Sequence, residues 1–220
     1  MTNQELFSYV DHTLLKPEAT PEQIAALCAE AAEHGTASVC VNGSYVALAK
    51  KLLDGKAKVC AVIGFPLGAM STAVKAFEAA EAIRDGADEI DMVIHIGQLK
   101  AGNTDYVLED IKAVKAAIGD HILKVIIETC LLTEEEKITM CRLVTESGAE
   151  YIKTSTGFST GGATFDDVRL FAEYVGEGVK IKAAGGIRTL DTALRMIELG
   201  VSRIGSTASV SIVEELKHRL

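Results

Sequence analysis

The sequence has no tryptophan, three prolines and an aromatic content of only 5%. A chain so poor in large rings must build its core from aliphatic side chains, and hydrophobic residues make up 48% of its 220 positions. At this length roughly 70% of the unfolded surface can be buried, so no disulfide or metal staple is required. The five cysteines, Cys28, Cys40, Cys60, Cys130 and Cys141, are odd in number and form no C-x-x-C pair. That excludes a secreted disulfide scaffold and points to a reducing, cytoplasmic setting. Positive charge is scarce too: 22 Lys and Arg face 31 Asp and Glu, a net charge of −9. Nucleic-acid binders show the opposite balance, although a small anion held at one local site stays open. No apolar run approaches the ~18 residues of a membrane-spanning helix. Residues 1–17 carry Glu5, Asp11, His12 and Lys16 without an apolar signal region. The five histidines show no H-x-H or H-E-x-x-H spacing, so neither a membrane partner nor a metal is expected.

What the chain does have is alternation. Apolar runs of strand length occur at Val10–Leu14, Ala37–Val41, Lys58–Gly64, Glu89–His95, Leu123–Glu128, Tyr151–Thr154, Val179–Ala183 and Ser202–Ser206. Between them lie segments with apolar residues at helical spacing, including Pro21–Glu33, Ser71–Arg84, Tyr106–Ile118, Thr133–Ser147, Phe165–Tyr174 and Leu190–Glu198. Thr20-Pro21 places proline at a first helical position, and Thr133 with Glu136 reads as a capping box. No linker or low-complexity segment divides the chain. Eight β-then-α units in one domain, residues 1–220, predict a (β/α)8 barrel with a short N-terminal helix.

A repeat sharpens this. Gly35, Gly86, Gly148 and Gly200 each precede an aliphatic residue by four positions, namely Val39, Ile90, Ile152 and Ile204. Each glycine reads as a left-handed helix terminus before strands 2, 4, 6 and 8. The residues one step further on are Cys40, Asp91, Lys153 and Gly205. Alternate strands fill one layer of a barrel interior, so register predicts that Asp91 and Lys153 face each other across it. An ionisable pair in an otherwise apolar interior is costly unless it is satisfied or used.

Lys153, followed by the hydroxyls of Thr154, Ser155 and Thr156 and by Gly157, ends strand 6; Lys182 lies near the same end of strand 7. Neighbouring strands are about 4.8 Å apart, so the two amines can approach. Only about one lysine in 2,500 is neutral at pH 7, and lowering its pKa by about three units takes roughly 4 kcal/mol. A like charge at about 4 Å supplies that much, enough to make one amine a Schiff-base nucleophile. Taken singly, each lysine reads as a strand-end or ion-pair residue; it is the two on adjacent strands, with Asp91 in register, that point to function. After strands 7 and 8, Gly185-Gly186-Ile187-Arg188 and Gly205-Ser206 stand where barrels often hold phosphate. Three weaker candidates remain. Asp11 reads as an orienting group at the barrel mouth or a core hydrogen-bonding residue. Glu128 reads as a charge partner for a lysine, catalytic or structural. Cys40 reads as a packed small residue or a thiol facing the site.

Together the segments Asp11–Lys16, Val39–Asn42, Val62–Gly68, Glu89–Val93, Lys124–Glu128, Ile152–Thr164 and Lys182–Arg188 resemble the signature segments of the deoxyribose-phosphate aldolases, from about Asp11 to Thr207. The resemblance implies a class I aldolase that needs no cofactor or metal. It would reversibly cleave 2-deoxy-D-ribose 5-phosphate to D-glyceraldehyde 3-phosphate and acetaldehyde, as a homodimer or homotetramer. It casts Lys153 as the Schiff-base lysine, Lys182 as the lysine that perturbs it and joins the proton relay, and Asp91 as the proton-shuttling aspartate. Gly185, Gly186, Gly205 and Ser206 fall at the phosphate site, with Gly157 and Arg188 in matching loops; Asp11, Thr154, Cys40 and Glu128 support. The sequence departs from the family pattern at Gly43, His95, Phe158 and Ala208. Its Lys217-His-Arg-Leu220 end lacks the terminal tyrosine that some members use in proton transfer.

Overall fold

A computed structural model describes residues 1–219; Leu220, the last residue of the C-terminal departure, lies outside the described residues. Helix α1 (Asn3–Phe7) precedes β1 (Val10–Leu14). Then come α2 (Pro21–His34), β2 (Ser38–Asn42), α3 (Val46–Leu53), β3 (Lys58–Ile63), α4 (Thr72–Arg84) and β4 (Glu89–Val93). Next are α5 (Ile96–Lys100), α6 (Thr104–Ile118), β5 (Ile122–Ile126), α7 (Glu134–Ser147) and β6 (Tyr151–Lys153). The chain ends with α8 (Phe165–Tyr174), β7 (Lys180–Ala184), α9 (Leu190–Glu198), β8 (Val201–Ser206) and α10 (Ser209–Arg219). The eight strands are parallel and close in sequence order, β8 pairing with β1. Among the described residues no helix is long and apolar enough to cross a membrane.

Local chemistry fixes the element ends. Thr20 and Thr133 each form a complete capping box, with Gln23 and Glu136. The four repeat glycines all adopt positive φ, Gly35 at 68°, Gly86 at 106°, Gly148 at 80° and Gly200 at 102°, the conformation that releases each helix into its next strand. The helical segments named from the sequence leave out α3, α5 and α10. Helix α3 follows a 3₁₀ turn (Gly43–Tyr45) without a side-chain cap bond, and ends on Asp54 in the left-handed region instead of a glycine. His95, the other loop departure, caps α5 by accepting from the Gln98 amide at 3.3 Å.

The hydrophobic core lies outside the barrel, between sheet and helices. Along β3, Val59, Ala61 and Ile63 belong to that shell, whereas Cys60 and Val62 join a small inner cluster with Leu15 and Cys40. In β5 and β7 the same alternation sends Leu123, Val125, Ile181 and Ala183 outward. The inward positions between them are Lys124 and Lys182, both fully buried. The expectation of an otherwise apolar interior is therefore wrong. The apolar look of the strands comes largely from their outward residues, and the inner face carries buried charges beside that small apolar cluster.

At the C-terminal end of the strands, the β6–α8 loop packs on the β7–α9 loop. The Ala163 amide donates to the carbonyls of Ala184 and Gly185 at 3.1 and 3.0 Å. A Cβ at Gly162 would stand 2.3 Å from the Gly185 oxygen. Gly162→Ala is expected to cost about 1–3 kcal/mol, the range for overpacking, which lowers the melting temperature by roughly 3–10 °C. Thermal unfolding checks it; an unchanged transition would show that the loops part without cost.

Candidate active site

Strand register brings Asp91, Lys153 and Lys182 together. Lys153 pairs with Lys182 across β6 and β7, and Asp91 pairs with Lys124 across β4 and β5. One Asp91 oxygen, Oδ2, accepts from Lys153 Nζ at 2.6 Å and Lys182 Nζ at 2.7 Å. Oδ1 accepts from Lys124 Nζ at 2.8 Å and from the Cys60 thiol at 3.1 Å. The predicted pair across the barrel is thus present, with two further lysines on the same carboxylate.

Behind this group Asp11 binds Lys182 and accepts from Arg203 and from the Ser38 hydroxyl, both at 2.6 Å. Glu89 binds Lys124 at 2.7 Å and Arg203 at 2.9 Å. Lys58 reaches Glu89 from solvent at 3.6 Å. The buried cluster therefore holds four cations, Lys124, Lys153, Lys182 and Arg203, against three carboxylates, Asp11, Glu89 and Asp91. Its net charge is +1 when every group is ionised. Charges in such a dry interior persist only when paired, and one positive charge here exceeds the partners available.

Burial works to raise the Asp91 carboxyl, but Lys124, Lys153 and Lys182 outweigh it and hold it well below the usual carboxylate range. Asp11 is lowered in the same way, its burial overcome by Lys182, Lys124 and Arg203. Burial would lower Lys182, yet Asp11 and Asp91 raise it above the ordinary lysine value. Lys124 is raised likewise, chiefly by Asp91. Asp91, Asp11, Lys124 and Lys182 are thus all held in their charged forms at neutral pH.

Above the cluster a cavity of about 370 Å³ opens at the C-terminal ends of the strands. Of the three lysines only Lys153 lines it. The remaining wall comes from the ends of β1, β6, β7 and β8 and includes Gly157, Gly185, Gly186, Arg188, Gly205 and Ser206. These six are the residues expected at a phosphate site. Ser206 contributes through its backbone position, because its hydroxyl is engaged: it donates to the Ile187 carbonyl and accepts from the Ala208 amide, both at 3.0 Å. A Cβ at Gly205 would lie 3.0 Å from Ala184 Cβ, so its bare backbone lets β7 and β8 approach beneath the cavity.

The four supporting candidates divide. Asp11 is a fully buried member of the ion cluster, not a group at the mouth. Thr154 bonds the Ala184 backbone at 3.1 Å and ties β6 to β7. Glu128 holds no lysine among the described residues; with φ of 56° it turns toward the next loop and accepts from the Thr156 hydroxyl and amide. Cys40 is buried against Leu15, Cys60 and Val62, and a hydrogen bond with Cys60 lowers its thiol.

Cys40, Cys60 and Asp91, and separately Asp11, Cys60 and Glu89, bring potential metal ligands within 4.8 Å of one another. Sequence spacing gave no hint of either trio. All three carboxylates in these trios already bind at least two cationic side chains, and burial first of all raises the Cys60 thiol well above its usual value. A neutral thiol beside occupied carboxylates is a poor cation site. Lys124, Glu89, Arg203 and Cys60 were not among the expected site residues, although period-two alternation within β3, β4, β5 and β8 would have marked them as inward.

Comparisons with known proteins bear on the fold and the family. A model of the DeoC/LacD family aldolases matches residues 6–206. The deoxyribose-phosphate aldolase of Streptococcus suis is 59% identical over 210 residues, covering 95% of this chain and 96% of the relative. That of Brevibacillus brevis is 57% identical over 210 residues, 95% of each chain. A solved tetrameric deoxyribose phosphate aldolase from Aeropyrum pernix superposes with a TM-score of 0.90 at 30% identity, covering 100% of this chain and 94% of the other. The solved relative shares the closed eight-stranded barrel, and by the family match and these identities the chain belongs to the DeoC/LacD family of aldolases.

Proposed function

We propose that this aldolase reversibly cleaves 2-deoxy-D-ribose 5-phosphate to D-glyceraldehyde 3-phosphate and acetaldehyde through a Schiff base on Lys153. One observation carries the reading: Lys153 is the only lysine of a buried cluster with excess positive charge that lines the cavity. Loss of one proton from that amine brings the cluster to neutrality. The free amine then adds to the C1 aldehyde carbon, and loss of water gives an iminium. Asp91, still ionised, faces the iminium as its counter-charge. The iminium draws the electrons of the C2–C3 bond as the C3 hydroxyl passes its proton to the relay of Asp91 and Lys182. D-glyceraldehyde 3-phosphate departs and an enamine of acetaldehyde remains. Protonation at C2 and hydrolysis release acetaldehyde and restore the amine.

Lys182 shares Asp91 Oδ2 with Lys153, which suits the pair to proton relay. The proton leaving the C3 hydroxyl enters this relay at the Asp91 carboxylate and replaces the one that Lys182 gives to C2 of the enamine, so both groups end in the charged forms in which they began. The electron sink is the iminium itself, so the chemistry calls for no metal or cofactor. The loops after β7 and β8 would seat the phosphate against backbone amides and Arg188. We further infer a cytoplasmic homo-oligomer, a dimer or tetramer. The tetrameric relative supports the oligomer, and five free cysteines support the compartment.

The test is reductive trapping. Borohydride added with acetaldehyde or 2-deoxyribose 5-phosphate should leave a stable ethyl or sugar adduct on the peptide containing Lys153, read by mass spectrometry. No adduct on the wild-type protein would defeat the Schiff-base assignment, and an adduct mapped to Lys182 would relocate the nucleophile.

A further inference from the structure

We propose that Lys16 is a specificity-determining residue that grips the phosphate of the substrate together with Arg188; the proposal rests on the sugar-phosphate reading above. In a chain of net charge −9, the cavity wall holds three cationic side chains, Lys16, Lys153 and Arg188, and no carboxylate among the described residues. Lys153 faces the reacting aldehyde, which leaves Lys16 and Arg188 for an anion. No ion pair is seen for Lys16 among the described residues, whereas Lys50, Lys75, Lys115 and Lys137 all meet carboxylates.

The backbone places Lys16 firmly while leaving its side chain exposed. Its carbonyl accepts from the Ala19 amide at 3.1 Å, closing a turn through Pro17. The preceding Leu15 is buried with Cys40, Cys60 and Val62, and its carbonyl accepts from Asn42 Nδ2 at 3.3 Å. Closure of the barrel then decides the neighbours. Asp11 pairs with Gly205 and His12 with Ser206, so the stretch from Thr13 to Lys16 continues beside Ser206 and Thr207, which also line the cavity. Lys16 thus joins the phosphate loops from the β1 side. An ammonium there gives a charge-assisted contact to a dianionic ester and nothing to an uncharged sugar.

Steady-state kinetics on wild type, Lys16→Met and Lys16→Arg, with 2-deoxyribose 5-phosphate and with unphosphorylated 2-deoxyribose, test this. Lys16→Met should raise KM for the phosphate ester about tenfold or more, the effect of one lost charge-assisted bond. Its kcat should move far less, so the preference for the phosphorylated sugar falls by about the same factor. Lys16→Arg should keep most of the preference. Competitive inhibition by inorganic phosphate should weaken in parallel. An unchanged preference in Lys16→Met overturns the proposal, as does an equal loss with both sugars, which would make Lys16 a structural residue. The underlying reading fails separately, if the wild-type protein does not cleave the phosphate ester. Phosphate binding measured by calorimetry would then still decide the role of Lys16: weaker binding in Lys16→Met supports it, and unchanged binding overturns it.

Discussion

Lys153→Met is expected to abolish aldol cleavage while leaving the protein as stable as before, or more so. The loss in kcat/KM should be on the order of 10⁴-fold or greater, as when a covalent nucleophile is removed. The stability half of the prediction comes from counting charges. Four buried cations face three buried carboxylates, and Lys153 is the one that meets a single carboxylate, Asp91, whereas Lys124, Lys182 and Arg203 each bridge at least two. Asp91 keeps Lys124 at 2.8 Å and Lys182 at 2.7 Å. Methionine matches the length of most of the lysine stem and carries no charge to desolvate. An enzyme that stores an unmatched charge where its nucleophile must act gives up stability for reactivity. Thermal unfolding and a cleavage assay on the same preparation check both halves. A melting temperature lowered by more than roughly 10 °C would show that Lys153 is a structural cation and that the count misplaces the surplus.

That count also explains which parts of the site could be read before the fold was known. The meeting of Asp91 with Lys153 follows from local marks, because the glycine before each even-numbered strand fixes where that strand starts. Lys182 follows from its adjacent strand. Lys124, Glu89 and Arg203 were hidden for a different reason: each sits in a strand that looks apolar, and the general rule for barrel interiors favours Val, Ile and Leu. Alternation within β5, Leu123 out and Lys124 in, contradicted that rule. Lys16 was out of reach, since only closure of β8 onto β1 brings it beside Ser206, 190 residues later. Glu128 failed on backbone conformation. A positive φ turns its carboxylate toward Thr156, and nothing in the local sequence announces that for a glutamate.

Asp91→Asn should fail in the opposite manner, losing activity and stability together. The substituted side chain would offer one carbonyl oxygen where the carboxylate offers two, and would turn an amide donor toward ammonium groups. Four buried cations would then face two carboxylates. Breaking a buried ion pair from one side costs about 3–5 kcal/mol, so the melting temperature should fall by roughly 10 °C. Activity should fall by about 10²–10⁴-fold with the loss of the proton relay. The pH dependence separates this from a packing defect. Folding lowers the Asp91 carboxyl, so its stabilisation is complete above the unfolded value of about 4 and is lost as pH falls from there toward the folded value. Folding raises Lys124 and Lys182, so theirs is complete below about 10.5 and is lost as pH climbs toward the folded values. An amide in place of the carboxylate does not titrate and no longer raises either lysine. The stability gap between wild type and Asp91→Asn is therefore widest between about pH 4 and 10.5 and narrows beyond both limits, by about 1.4 kcal/mol per pH unit on the acid side. Urea unfolding of both proteins at acidic, neutral and alkaline pH measures that gap, and a gap independent of pH would show that Asp91 stabilises the barrel by shape and not by charge.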